Sequence, residues 1–90
     1  MLAKMNNFSE WVSETDANYL KHKYTNLLKQ SGFTVLDEMH HNFEPYGYTG
    51  IWLLSESHFA IHTFPEHNKT YIELSSCIDE PYKNFLKLNK

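Results

Sequence analysis

Ser57 directly follows Glu56, His62 lies five residues further on, and the chain's one cysteine, Cys77, lies twenty residues beyond the serine. A hydroxyl beside a peptide carbonyl is a nucleophile, an imidazole moves protons near neutral pH, and a thiol can surrender a proton and recover it. Three of these residues fall in the run Ser55-Glu56-Ser57-His58-Phe59-Ala60-Ile61-His62-Thr63-Phe64-Pro65-Glu66. Each also has a plain structural reading. A lone cysteine is more often a small buried hydrophobe than a catalyst, and Glu66 and Glu73 read as sheet-edge surface as readily as an acid and base pair. His58 and His62 share one strand face, but with no second cysteine and no HExxH pattern the expectation is no metal.

The elements that must position these groups follow from periodicity. Ser13-Glu14-Thr15-Asp16 has the form of a helix start, with a hydroxyl three residues before a carboxylate. Leu20, Tyr24, Leu27 and Leu28 follow at helical spacing and Gly32 closes the element, which predicts a helix over Asp16 to Ser31. Lys21, His22, Lys23 and Lys29 fall on its solvated side. Strands are predicted over Phe33–Met39, Tyr48–Leu54, His58–Phe64 and Thr70–Cys77, with turns at Glu44–Gly47 and Pro65–Asn68. Asp79-Glu80-Pro81 opens a last helix with Tyr82, Phe85 and Leu86 as its apolar stripe. Phe8, Trp11 and Val12 fit a short strand or an amphipathic turn. The order helix, antiparallel meander, helix implies an α+β two-layer sandwich, an antiparallel sheet with helices packed on one face, in a single domain over 1–90.

Strand alternation constrains the chemistry. His62 shares a face with His58 and Ala60, opposite Phe59 and Ile61, while Ile72, Leu74 and Ser76 oppose Tyr71, Glu73, Ser75 and Cys77. Ser57 and His62 are an odd number of residues apart, so in one straight strand they point to opposite faces, and a distortion at Ser57 is required for them to meet.

Ninety residues with 41% hydrophobic and 16% aromatic content can form a packed core, near the size at which a partner subunit helps complete it. A net charge of −3 without a basic stripe argues against nucleic-acid binding. No apolar run approaches a spanning helix and Met1 to Asn7 lacks the apolar centre of a signal peptide, so the expectation is a cytoplasmic protein with no membrane contact and a reduced Cys77.

In order and spacing, Phe43, Pro45, Gly47, Thr49 and Gly50, then Ile51 to Leu54, then Ser55-Glu56-Ser57-His58, Ile61-His62-Thr63-Phe64-Pro65-Glu66 and Cys77 resemble the core of the small prokaryotic S-adenosylmethionine decarboxylases, pyruvoyl enzymes of polyamine and spermidine synthesis. The match needs no gap and covers a little over a third of the chain. The resemblance implies a self-processing proenzyme. The Ser57 hydroxyl attacks the Glu56 carbonyl, an N-to-O acyl shift gives an ester, and elimination releases the Glu56 carboxylate and leaves a dehydroalanine that takes up water and loses ammonia, giving a pyruvoyl group formed from Ser57 at a new N-terminus. His62 assists as base, Thr49 stands where the family's serine supports the acyl shift, and Cys77 returns a proton to the substrate carbon. The mature carbonyl forms a Schiff base with the substrate amine. Phe43 matches an aromatic that stacks on adenine, and Glu66 lies in a ligand-contacting segment. A homodimer with active sites near the subunit interface is implied.

The chain departs from the family pattern at Thr49 for serine, Phe64 for tryptophan and Ile78 for glycine. It also lacks, in recognisable form, the family's opening strand with its glycine and histidine and its strand after the second helix. Arginine or ornithine as the decarboxylated amine, or a non-processing homologue acting as a binding protein, are the alternatives.

Overall fold

The computed structural model describes residues 4–89; Met1, Leu2, Ala3 and Lys90, at the ends of the expected 1–90 domain, lie outside the described residues, as do the first three positions of the Met1–Asn7 segment. Helix α1 runs Ala17–Ser31. Its start is set by Asp16 alone, whose carboxylate accepts the N–H groups of Asn18 and Tyr19 at 3.0 and 3.2 Å. No acidic residue stands in the first turn, so the hydroxyl and carboxylate pairing expected at Ser13 and Asp16 is replaced by a single cap. At the other end Gly32 adopts φ 108° and donates to Lys29, while Phe33 N–H reaches back to Leu28 O at 3.0 Å. Phe33, buried, therefore belongs to the helix cap, and strand β2 begins later than expected and extends further, over Val35–Asn42.

Strands β3 (Tyr48–Leu54) and β4 (Ser57–Phe64) are joined by the two-residue turn Ser55-Glu56. A short 3-10 turn at Pro65–His67 leads to β5 (Lys69–Ser76), and helix α2 spans Asp79–Leu88. Asn6–Val12 forms β1, which pairs antiparallel with β5 along its whole length. Of the two readings of Phe8, Trp11 and Val12, the strand is the one present, and it takes its form from its partner. The sheet order is β1-β5-β4-β3-β2, every neighbour antiparallel.

Strict alternation along β3, β4 and β5 sends Trp52, Leu54, Phe59, Ile61, Ile72 and Leu74 to one face, where all are buried. Leu20, Tyr24, Leu27 and Leu28 of α1 and Phe85 of α2 cover them. Phe59 lies 5.2 Å from Tyr24 and 5.6 Å from Phe85, centroid to centroid, and the Trp52 indole N–H donates to Thr25 Oγ1 at 2.9 Å. The molecule is an α+β two-layer sandwich with both helices on one face of the sheet. The other face carries apolar side chains with no helix above them among the described residues. Met39, Ile51 and Leu53 are 72%, 44% and 52% exposed and line one shallow hollow there.

Candidate active site

The expected site residues form two groups at opposite ends of the β3–β4 hairpin. The first surrounds the turn. Because only two residues link the paired positions Leu54 and Ser57, Glu56 is driven to φ 55°, the left-handed region that favours glycine or asparagine at the third position of such a turn. The exposed Cys77, just past the end of β5, reaches the same turn, its thiol donating to the Glu56 carbonyl at 3.2 Å. Ser57 is the first residue of β4 and points into the core, 6% exposed, on the face of Phe59 and Ile61. Its hydroxyl donates to Ser76 Oγ at 2.8 Å. Ser76 is fully buried, accepts the Ile78 N–H at 3.0 Å and donates to Ile78 O at 3.3 Å. Sequence reasoning did not single out Ser76; its signal was a hydroxyl continuing the apolar face of Ile72 and Leu74.

The second group lies at the far end. Thr49 and His62 are directly opposite each other in the β3–β4 ladder, and Thr49 Oγ1 stands 3.0 Å from His62 Nδ1. The His62 ring stacks on Tyr71 at 6.4 Å. When Nδ1–H donates to the threonine, Nε2 keeps a free lone pair, the form a base requires. The loop after β2 is closed by Phe43 N–H donating to Gly47 O at 2.8 Å, with Gly47 at φ 110° and Phe43 edge-on to His41. Phe43, Tyr46, Thr49, His62, Phe64 and Glu66 line a hollow of about 310 Å³. Phe43, Tyr46, Tyr48 and Phe64 are its phenyl and phenol residues and Glu66 its one carboxylate, and Tyr46 is a lining residue that the sequence reading passed over.

Beneath this end, on the helix side, Tyr48 is held neutral. Burial, and secondarily the Glu38 carboxylate, push its phenol up to about 12. With Glu38 Oε1 accepting from His40 Nε2–H at 2.8 Å, His40 Nδ1 is the acceptor for the Tyr48 hydroxyl at 2.5 Å.

The two groups do not meet within one chain. Ser57 and His62 point to opposite faces of β4, and five residues of strand separate them by roughly 16 Å, far beyond hydrogen-bond reach. The turn at Glu56 does not rotate the serine toward the histidine, since pairing with Leu54 and Ser76 fixes Ser57 in the regular ladder. Among the described residues no group of three His, Cys, Asp or Glu side chains is placed to hold a metal ion, and no helix is long and apolar enough to cross a membrane.

Comparison with known proteins bears on what this arrangement belongs to. A chain from Prochlorococcus marinus (strain MIT 9313), named S-adenosylmethionine decarboxylase proenzyme, is 40% identical over 65 residues, 72% of this chain and 52% of the relative. A protein of the same name from Thermotoga maritima is 41% identical over 63 residues, 68% of this chain and 48% of that one. The chain spans about half the length of the curated relatives it matches. The crystal structure of the adenosylmethionine decarboxylase from Aquifex aeolicus superposes with a TM-score of 0.73 at 22% identity, covering 92% of this chain and 73% of that one, a likeness of fold. A family model described as S-adenosylmethionine decarboxylase matches residues 8–90, and the chain belongs to that family.

Proposed function

We propose that the chain cleaves itself between Glu56 and Ser57 and that the product, with a pyruvoyl group formed from Ser57, decarboxylates S-adenosylmethionine for polyamine synthesis. The observation that carries this reading is the Glu56 carbonyl: it sits in a left-handed turn, accepts the Cys77 thiol at 3.2 Å and precedes a serine held in the core. A thiol donating to that oxygen polarises the carbonyl carbon, and the attacking hydroxyl belongs to the next residue, so no encounter is needed. The residues fit the group they would generate. Ser57 is shielded from bulk water and the thiol lies beside its N-terminal side. The group, once formed, supplies an electron-withdrawing carbonyl that takes up the substrate amine and the electron pair left as carbon dioxide departs.

The chain's own residues have separable tasks. Cys77 donates at the Glu56 carbonyl before cleavage and returns a proton to the substrate carbon afterwards. His62, oriented by Thr49, removes the proton that drives elimination of the ester. The aromatic hollow of Phe43, Tyr46 and Phe64 suits a flat adenine and a sulfonium charge, with Glu66 as a counter-charge. A hollow for arginine or ornithine would call for several carboxylates, and Glu66 is the one acid lining this one.

The separation of the two groups supports a homodimer. In this reading the base and aromatic hollow of one chain serve the serine and thiol of another, and the apolar surface of Met39, Ile51 and Leu53 is the part of the sheet a second copy would cover. Intact-mass measurement of the purified chain, followed by carbon dioxide release from S-adenosylmethionine, arginine and ornithine, tests the reading. Two fragments divided at Glu56 and Ser57, the second lacking a free amine, with release from S-adenosylmethionine alone, are expected. A chain that stays whole, with no detectable carbonyl, overturns it.

A further inference from the structure

We propose that Ser76 is a positioning residue for the self-cleavage step, its buried hydroxyl fixing the Ser57 oxygen in one orientation and accepting its proton's hydrogen bond. The inference rests on the cleavage reading above and extends it to a residue outside the expected set.

Ser57 and Ser76 are directly paired at the end of the β4–β5 ladder, on the helix-covered face, next to the Phe59–Leu74 pair. An apolar pair at these positions would continue the core, whereas two buried hydroxyls must be mutually satisfied or cost stability. They are satisfied as an ordered chain. Ser57 O–H donates to Ser76 Oγ, Ser76 O–H donates to Ile78 O, and Ile78 N–H returns a bond to Ser76 Oγ. Ile78 O also accepts Tyr82 N–H at 3.3 Å, the first bond of α2, so the orientation of the Ser57 hydroxyl is tied to the start of a packed helix. His62 is on the other face, leaving Ser76 as the acceptor for the Ser57 hydroxyl.

In the attack, the Ser57 Oγ–carbon bond forms at the Glu56 carbonyl and the carbon–nitrogen bond breaks. The electron pair passes to the Ser57 nitrogen, and the proton leaving Oγ ends on that nitrogen. Ser76 is regained unchanged. Its contribution is to hold the oxygen in one of three staggered wells, up to about threefold in population. Partial removal of the proton adds up to about tenfold, the upper range of one net hydrogen bond.

Ser76 also has a purely structural role, ending β5 and leading into α2. Ser76→Thr and Ser76→Val separate the two, since they add the same bulk and differ in the hydroxyl. Splitting of the full chain is followed by intact mass, with and without hydroxylamine, which attacks an ester far faster than an amide. Splitting of Ser76→Thr within about threefold of the native rate, and of Ser76→Val about tenfold or more slower with no recovery in hydroxylamine, is expected if the attack itself depends on the hydroxyl. Equal rates for the two variants overturn the proposal. So does a slow Ser76→Val that hydroxylamine restores, because the ester is then forming without the Ser76 hydroxyl. Should Ser76→Val lose its cooperative melt, Ser76→Ala takes its place under the same criteria. A native chain that never splits overturns the cleavage reading itself, and this inference with it; a native chain that splits while both variants keep pace removes Ser76 alone.

Discussion

If the serine of one chain is served by the histidine of another, two inactive chains must be able to complete each other. A Ser57→Ala chain lacks the nucleophile but keeps Thr49 and His62; a His62→Ala chain keeps the serine, the Glu56 turn and Cys77 but lacks the base. Neither should yield the pyruvoyl fragment alone. The roughly 16 Å along β4 between Ser57 and His62 means that in a mixed dimer the serine of the His62→Ala chain meets the histidine of the Ser57→Ala chain, while the other pairing has neither. Random assortment of equal amounts makes half of all dimers mixed, each with one complete site, so roughly half of the His62→Ala chains should split and none of the Ser57→Ala chains. The assay is subunit exchange through mild denaturation, then intact mass, which distinguishes the two chains and their fragments. Exchange must be verified independently, for instance with a fluorescence-labelled pair. If exchange is complete and every chain remains whole, the two-chain site is refuted. If His62→Ala alone splits to the pyruvoyl form at the native rate, the histidine has no part in elimination.

Gly50 sits in β3 where a Cβ would collide with Tyr48 Oη and meet the Trp52 ring at 2.8 Å, and Trp52 cannot slide without losing its bond to Thr25. Gly50→Ala should therefore destabilise by about 2–4 kcal/mol, overpacking plus one lost hydrogen bond, in a urea titration; a change under about 0.5 kcal/mol contradicts the packing described. Tyr24 and Tyr48 are both pushed up to about 12 from 10.0, each chiefly by burial, with Glu10 and Glu38 the next contributions. A raised folded value means the stabilisation is whole below pH 10.0 and is lost as pH climbs through about 12, because the unfolded chain gives up these protons first. The loss approaches about 2–3 kcal/mol per tyrosine, and Tyr48→Phe should remove its share of the alkaline slope; an unchanged slope excludes Tyr48 as its source. Cys77→Ala should still split in part but lose about 10²- to 10⁴-fold in turnover, the range for a general acid. Full turnover in that variant removes the thiol from the mechanism.

Much of this was legible in the chain. Alternation in Thr70–Cys77 separates Ile72, Leu74 and Ser76 from Tyr71, Glu73 and Ser75, and burial in β5 follows that division. The odd spacing of Ser57 and His62 implied opposite faces unless the backbone distorted, and the ladder is regular at Ser57. What could not be read is what depends on pairing between distant segments. Asn6–Val12 carries little apolar pattern of its own and becomes a strand by lying against Thr70–Ser76. The bond from Ser57 to Ser76 exists because the turn at Pro65–Asn68 fixes the β4–β5 register, and a shift of one residue would send Ser76 to the other face. The Glu38–His40–Tyr48 chain likewise needs the β2–β3 register, which shifts between Val35 and Asp37.

Two separate features bear on the same peptide link, and they act by different means. Glycine would relieve the backbone at position 56, where a residue with a side chain carries about 1–2 kcal/mol in the left-handed region. That strain is local and belongs to the ground state; it is released if the link between Glu56 and Ser57 opens. The Cys77 thiol acts instead on the carbonyl oxygen, where negative charge would grow during attack, so its hydrogen bond strengthens as the barrier is climbed. Glu56→Gly should therefore relax the turn and stabilise the uncleaved chain while leaving the thiol contact in place. Its splitting should slow by no more than the strain released, about five- to thirtyfold. Complete loss of splitting in that variant would mean that the glutamate side chain itself takes part, and that backbone strain is the wrong account of this position.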